Sequence, residues 1–352
     1  MGDEFIAGVC ERVREHAARK QPLRIRGGGT KDFYGEDCAG ETLDMSAYAG
    51  IVAYEPKELV LTVRAGTPLD VVEAALAAER QMLPFEPPHF GGAATIGGAV
   101  ACGLSGPRRP YAGAVRDFVL GTRIVNGKGE DLSFGGRVIK NVAGYDVSRL
   151  MAGALGTLGI ITEISFKVLP LPAAETTLAF ELDEANATLQ ANRWAGQPLP
   201  LSATSWQDGK LRVRLSGAAT AIDAARAKMG GEDEGAAQDY WRDLREQRLA
   251  FFSGAGTLWR LSVPQTAEAA QFSQPQLIEW GGGLRWIAGD VDALAIRSTA
   301  ERLGGHATLF RGGDKSSGVF HPLKPALAKI HRRLKEAFDP AGILNPNRMY
   351  KF

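Results

Sequence analysis

The chain is poor in the residues from which most enzyme sites are built. Its 352 residues include only three cysteines and five histidines. Cys10, Cys38 and Cys102 lie far apart and form no C-x-x-C pair, which argues against a local zinc or iron–sulfur motif. Each reads as a small buried hydrophobe, and the low, odd count fits a reducing compartment. A net charge of +1 excludes the strong basic field expected of a nucleic-acid or anionic-membrane binder. No apolar run approaches the ~18 residues of a membrane span. The opening "MGDEFIAGVCERVREHAARK" places charges where an export signal needs an apolar block. H-E-x-x-H, G-x-S-x-G and the phosphate-binding G-x-x-x-x-G-K-[ST] are all absent, which removes the commonest hydrolase and nucleotidase signatures.

Glycine is what the chain has in plenty, and it is unevenly placed. Residues 27–159 hold 23 glycines, whereas residues 160–280 hold 8. The shift puts a boundary near "ISFKVLPLPAAE", where a strand runs into Pro170 and Pro172. Before it, Phe5, Ile6, Val9, Val13 and Ala17 form a helical stripe. "LRIR", "IVAYEP", "LVLTVRAG" and "GIITEISFKVLP" read as strands. "TPLD" reads as a helix start, with Thr67 as N-cap and Asp70 closing a capping box. A hairpin is expected around Asn126-Gly127.

After the boundary the order of elements repeats. Residues 176–229 read strand, helix, strand, strand, helix. Residues 257–310 read strand, short helix, strand hairpin, helix, strand. Both follow the split-βαβ pattern of ferredoxin-like sheets. Leu327, Ile330 and Leu334 share one face of a C-terminal helix that stops at Asp339-Pro340.

Three glycine-rich elements could carry chemistry. In "RIRGGGTKD" a strand delivers three consecutive glycines, whose N–H groups can converge on an anion beside Arg26, Thr30 and Lys31. "GGAATIGGAVACGLSG" offers small side chains and many main-chain donors, as a flat, extended ligand would need. In "KNVAGYDVSRLMAGALGTLGIITE", Gly153, Gly156 and Gly159 precede a strand rather than a helix, so the Rossmann reading fails on context. His89 reads as an ordinary loop histidine.

Together, "RGGGT", "ATIGGAVA", "KNVAGYD", "GTLGIIT" and the Leu-Asn-Pro of the tail resemble the FAD-binding domain of the vanillyl-alcohol oxidase / p-cresol methylhydroxylase (PCMH) family. Within it, "SGPRRPYAGAVRDFVLG" and "GGRVIKNVAGYD" are similar to flavin-binding subunits of bacterial glycolate oxidases. The resemblance implies an α+β fold. A PCMH-type FAD-binding domain of two α/β subdomains would span residues 1–172, and a reduced ferredoxin-like domain residues 173–310. Residues 311–352 would form a helix and tail returning to the flavin domain. It further implies noncovalent FAD. Arg26, Gly27, Gly28, Gly29, Thr30 and Lys31 would wrap the pyrophosphate. Ala94, Thr95, Ile96, Gly97 and Gly98 would run along it toward the ring, with Gly103, Ser105 and Gly106 near the ring. Gly156, Gly159 and Ile161 would meet the dinucleotide from the other side, and Asn345 and Arg348 would come from the tail. The implied partners are a catalytic flavoprotein subunit and an iron–sulfur subunit, in a cytoplasmic complex that meets the inner membrane peripherally and oxidises a small 2-hydroxy acid.

The chain departs from catalytic members of that family in one respect. The turn before the last helix reads "FRGGDKSSG" and lacks the histidine that supplies their base, and no metal-ligand pattern surrounds His306 or His321. No metal is expected and the catalytic residues are left open. Two alternatives remain beside the subunit reading. One is a self-sufficient dehydrogenase using Asp314 or His321 as base and Arg108, Arg109 or Arg311 as carboxylate clamp. The other is a scaffold without flavin. The segment "DYWRDLREQRLAFF", residues 239–252, is the candidate partner surface.

Overall fold

The computed structural model describes residues 2–136, 146–270 and 272–351. The predicted N-terminal stripe forms helix Gly2–Arg19, burying Ile6, Val9, Cys10 and Val13. A five-stranded antiparallel sheet follows, in the order Ile51–Glu55, Val60–Arg64, Ile160–Lys167, Val119–Val125, Asp131–Gly135. Its central strand Ile160–Lys167 is buried on both faces over most of its length, because helices Leu69–Ala78 and Ile96–Cys102 send Leu69, Val72, Leu76, Ile96 and Val100 into the same core. A smaller parallel pair, Leu23–Arg26 with Glu41–Asp44, stands beside it.

Two local expectations change. Thr67 does not cap helix Leu69–Ala78; Pro68 occupies that position without a side-chain bond. The Thr67 hydroxyl instead donates toward the Arg64 carbonyl and accepts from Gly50 N–H, so it staples the preceding turn. The hairpin forms, but over residues 126–130: Asn126 Oδ1 accepts from the N–H groups of Lys128 and Glu130.

The second half is one eight-stranded antiparallel sheet, in the order Glu232–Asp233, Ala174–Glu181, Lys210–Gly217, Leu201–Gln207, Gln276–Glu279, Leu284–Ala288, Leu258–Ser262, His306–Arg311. Each repeat supplies four strands in ferredoxin-like order. They join where Ser205, Trp206 and Gln207 pair with Glu279, Ile278 and Leu277. The short helix expected after Leu258–Ser262 is not formed among the described residues; Pro264 and Pro275 bracket that connection, and Ala267, Ala270 and Phe272 pack as irregular chain. Strand alternation sends Trp259, Leu261 and Ile287 toward helix Ala293–Arg302. The opposite face holds Leu258, Leu277, Leu284, Trp286 and Phe310, which pack with Tyr34, Leu104 and Leu155 of the first half.

The segment expected to meet a partner is partly inside this interface. In helix Gln238–Arg245, Trp241 and Leu244 are buried. The C-terminal helix Pro325–Phe338 behaves in the opposite way. Leu327 and Ile330 are about half exposed, at 49% and 53%, and Leu334 alone of the predicted stripe packs on the core. No helix among the described residues is long and apolar enough to cross a membrane.

An ion-pair network locks the halves together. Glu86 accepts from Arg108 Nε at 3.2 Å, Arg108 N–H at 2.9 Å and Arg214 Nη2 at 2.8 Å, while Glu175 accepts from Arg108 Nη2 at 2.6 Å. Arg108 and Arg214 are both buried. Glu86→Gln leaves the two guanidiniums sharing Glu175 alone, and equilibrium denaturation should show a loss of about 3–5 kcal/mol. Unchanged stability would mean that the network does not hold the interface.

Glu279 gives the same interface a pH dependence. Its carboxyl is buried beneath Trp286, near Arg260 and Glu86, and burial pushes it up to about 7 from an ordinary 4.5. Below 4.5 folded and unfolded chains both hold this proton; between 4.5 and 7 the folded chain alone does. Its contribution to stability is therefore complete on the acid side and lost as pH rises to about 7. Denaturation midpoints from pH 4.5 to 7.5 should show this slope, flattened in Glu279→Gln.

Candidate cofactor site

The first glycine-rich element lies where strand Leu23–Arg26 ends. Arg24 and Arg26 alternate onto one side of that strand, and both reach Asp32 Oδ2, at 2.7 and 2.9 Å. The loop turns at Gly29, whose φ of +73° suits glycine, and Asp32 N–H closes on the Gly29 carbonyl. Among the described residues, the N–H groups of residues 28–31 have no protein acceptor. Such a run of free donors is an anion nest.

This loop lines a cleft of about 870 Å³, open mouth included. Gly27, Gly28, Gly29, Thr30, Lys31, Thr95, Gly97, Gly98, Gly156, Gly159, Ile161, Asn345 and Arg348 meet there with Arg26, so all three expected elements and the tail converge. Thr95 caps helix Ile96–Cys102 by accepting from Gly98 N–H at 3.3 Å. Three of the glycines bring the loops together. A Cβ on Gly28 would lie 1.4 Å from the Ala93 carbonyl oxygen, one on Gly27 2.4 Å from Thr95 Oγ1, and one on Gly97 2.6 Å from Ala65 Cβ.

Among the described residues, the cleft lining has four cations, Arg24, Arg26, Lys31 and Arg348, and one carboxylate, Asp32. Lys31 is 7% exposed. Its ammonium donates to the His89 carbonyl at 3.2 Å and lies 5.6 Å from the Phe90 ring centroid. Burial lowers its pKa, as expected of a cation without a close carboxylate. Among the described residues, Arg348 donates only to main-chain carbonyls, those of Glu36, Asp32 and Lys31. Asn345 donates to the Leu155 carbonyl and accepts from Ile25 N–H, both at 2.7 Å; its amide ties the walls together rather than reaching into the cleft. Cys102, pushed up to about 11 by burial, is a neutral thiol in the wall.

Five expected residues are not brought to this cleft. Ala94 and Ile96 are core side chains. Gly103 ends helix Ile96–Cys102 at φ +66°, against Gly153. Ser105 accepts from Val115 N–H, and Gly106 accepts from Trp280 Nε1 at 3.1 Å; both line a second cavity at the interface. The "KNVAGYD" motif falls largely outside the described residues. Arg24, Asp32, Cys38, Met45, Ala65, Ala101, Cys102 and Leu155 line the cleft without having been singled out. The i, i+2 spacing of Arg24 and Arg26 was a usable signal for the first; the others depend on packing between distant segments.

The groups considered for a self-sufficient active site lie elsewhere. Asp314 is an exposed loop carboxylate, held below its ordinary range by hydrogen bonds from Ser316. His321 Nε2 is 3.0 Å from Glu301. Arg108 is held in the ion-pair network, Arg109 lies 4.5 Å over the Trp280 ring, and Arg311 donates to the Phe252 carbonyl.

A narrow cleft of free main-chain donors and surplus positive charge, beside a five-stranded sheet, is the architecture of a PCMH-type flavin domain. Residues 6–135 match the family model described as FAD binding domain. The chain is 49% identical over 347 residues to glycolate oxidase subunit GlcE of Escherichia coli K12, covering 99% of this chain and 98% of that protein. It belongs to the family of that subunit. It is also 33% identical over 190 residues to glycolate oxidase subunit GlcD of Bacillus subtilis, and 34% over 178 residues to a D-lactate dehydrogenase of Anaerostipes hadrus, covering 38% and 36% of those proteins. Alkyldihydroxyacetonephosphate synthase shares the fold, with a TM-score of 0.66 at 16% identity over 97% of this chain and 75% of that one.

The residues present fit FAD: the nest at 28–31 and the cation surplus suit a pyrophosphate, and the small-residue wall from Gly97 to Cys102 suits a planar ring. Gly28→Ala must push the loop off Ala93. It should lower flavin retention at least tenfold while the far-ultraviolet spectrum stays native; full retention would show that the loop contact does not shape the site.

Proposed function

We propose that this chain is the FAD-binding subunit of a multi-subunit glycolate oxidase, holding FAD noncovalently and working beside a catalytic flavoprotein subunit and an iron–sulfur subunit. The observation that carries the reading is the cleft itself: free N–H donors at 28–31 and four cations against one carboxylate, in a chain 49% identical to a glycolate oxidase subunit. Bound there, FAD supplies two-electron oxidation chemistry. The residues of the chain bind it and set its position: the nest and Lys31 would take the phosphates, Thr95 fixes the helix start beside them, and Arg348 and Asn345 hold the wall closed. The noncovalent assignment is supported by Thr30 following the glycines and by His89 lying outside the cleft lining. The subunit assignment is supported by the positions of Asp314 and His321 away from the cleft, which leave the turn that carries a base in catalytic relatives without one here. The setting proposed is the cytoplasm, with membrane contact made only through the complex.

The purified chain should show a flavin absorption spectrum, released by acid precipitation. Anaerobic glycolate should leave that spectrum unbleached until the catalytic subunit is added. Bleaching by glycolate alone would replace this reading with a self-sufficient dehydrogenase. A colourless protein that takes up no added FAD would leave a scaffold.

A further inference from the structure

The anion nest has an outer wall that the second half of the chain holds in place. Residues 89–93 pass over the nest loop, with the Ala93 carbonyl oxygen against Gly28 and Thr30 Cγ2 against Gly91. The same stretch supplies both groups that hold Lys31: the His89 carbonyl, 3.2 Å from its Nζ, and the Phe90 ring. Among the described residues, no carboxylate bonds Lys31 directly; its other bond is to Thr30 Oγ1. The main chain at His89 and Phe90 therefore decides where this ammonium stands.

That stretch of chain does not hold its shape unaided. Phe90 has a φ of +54°, in the left-handed region that a bulky aromatic residue rarely adopts. Such a conformation persists where its surroundings over-determine it. The ring meets Phe33 and Phe310 edge-on, at 5.6 and 6.3 Å. The main chain is fixed by Glu246, a buried residue that ends helix Gln238–Arg245 of the second half. Its Oε2 accepts from Phe90 N–H at 2.8 Å and from His89 N–H at 3.1 Å, and its Oε1 accepts from Arg245 Nε at 2.8 Å. Burial works against the charge of this carboxylate, but Arg245 and the two N–H groups outweigh it and hold the carboxyl below its ordinary range. Glu246 also reaches Lys31 through space: burial lowers the pKa of Lys31, and the Glu246 charge is one of the groups that oppose the fall.

We propose that Glu246 is a positioning residue of the cofactor site. From the second half it clamps the His89 and Phe90 N–H groups, fixes the carbonyl and ring that hold Lys31, and so sets the ammonium for the pyrophosphate. The proposal rests on the flavin-subunit reading for the ligand. It makes the grip on the cofactor depend on how the second half is seated.

The test is a double-mutant cycle on the full-length apo chain, read by fluorescence titration with FAD and by calorimetric titration with inorganic pyrophosphate. Glu246→Gln keeps the shape, removes the charge and turns one acceptor into a donor that faces other donors. It should weaken both ligands about tenfold, and Lys31→Met should weaken them at least as much. The double variant should bind no more weakly than Lys31→Met, because the clamp then has nothing left to position. Glu246→Asp, which keeps the charge, should recover part of the loss, and it carries the same cycle if Glu246→Gln does not fold. Full affinity in Glu246→Gln overturns the proposal. So do additive losses in the double variant, which are what a merely structural role would give. A chain that takes no FAD but binds pyrophosphate with the expected coupling would refute the flavin reading and leave this one standing. A chain that binds neither ligand overturns both.

Discussion

Asn345 holds the cleft together. Its amide bonds Ile25 N–H on one side and the Leu155 carbonyl on the other, joining segments separated by 320 and 190 residues. It also occupies the space a side chain on Gly156 would need, with Nδ2 2.7 Å from that Cβ position. The tail reaches this point because it pairs with the first strand: Leu23 N–H donates to Ile343, and Asn345 N–H to Leu23. Asp339 starts the turn. Its carboxylate is fully buried, accepts from the N–H groups of Ile343 and Leu344, and is paired with Lys335. Lys335 in turn donates to the carbonyls of Thr157 and Leu344. A flavin-type cleft cut at the end of the five-stranded sheet would lack a wall.

The cleft is assembled with an electrostatic debt in its lining. Arg24 and Arg26 share one carboxylate, while Lys31 and Arg348 bond only to neutral oxygens. Desolvating a cation without a counter-charge disfavours the charged form, which is why the pKa of Lys31 falls. A dianionic pyrophosphate bound there would cancel most of the surplus and fill the donors at 28–31 in the same event. Cofactor and fold are therefore linked: an anion bound only by the folded state stabilises it by mass action.

Local signals in the sequence were read well where the physics was local. The apolar spacing of Phe5 to Ala17 gave a helix, alternation gave the strands, and the element order gave two ferredoxin-like repeats. The glycine clusters marked the cleft. Three of them also serve contacts between loops, with Ala93, Thr95 and Ala65 against Gly28, Gly27 and Gly97, which a glycine-rich string by itself does not reveal. Thr67 had the right residue type for a cap, but its oxygen accepts from Gly50 N–H instead, and the helix starts one residue later, after Pro68. The C-terminal stripe obeyed helical periodicity, yet Leu327 and Ile330 remain exposed, since periodicity identifies a face without showing that anything covers it. Arg260 and Glu279 were invisible for a further reason. They share a wall only after the repeats join into one sheet, and that register is not written in either repeat alone.

The same sheet explains why two polar side chains, Arg260 and Glu279, stand at the interface between the halves. Sequential alternation puts Arg260 on the face opposite Trp259 and Leu261, and Glu279 opposite Ile278. Neither charge serves the sheet's own packing against its helices. Their cost in desolvation is borne at the interface, where Glu86, Arg108, Arg214 and Glu175 already fix the two halves. The same joint therefore sets both the burial of these groups and the proton that Glu279 keeps up to about pH 7.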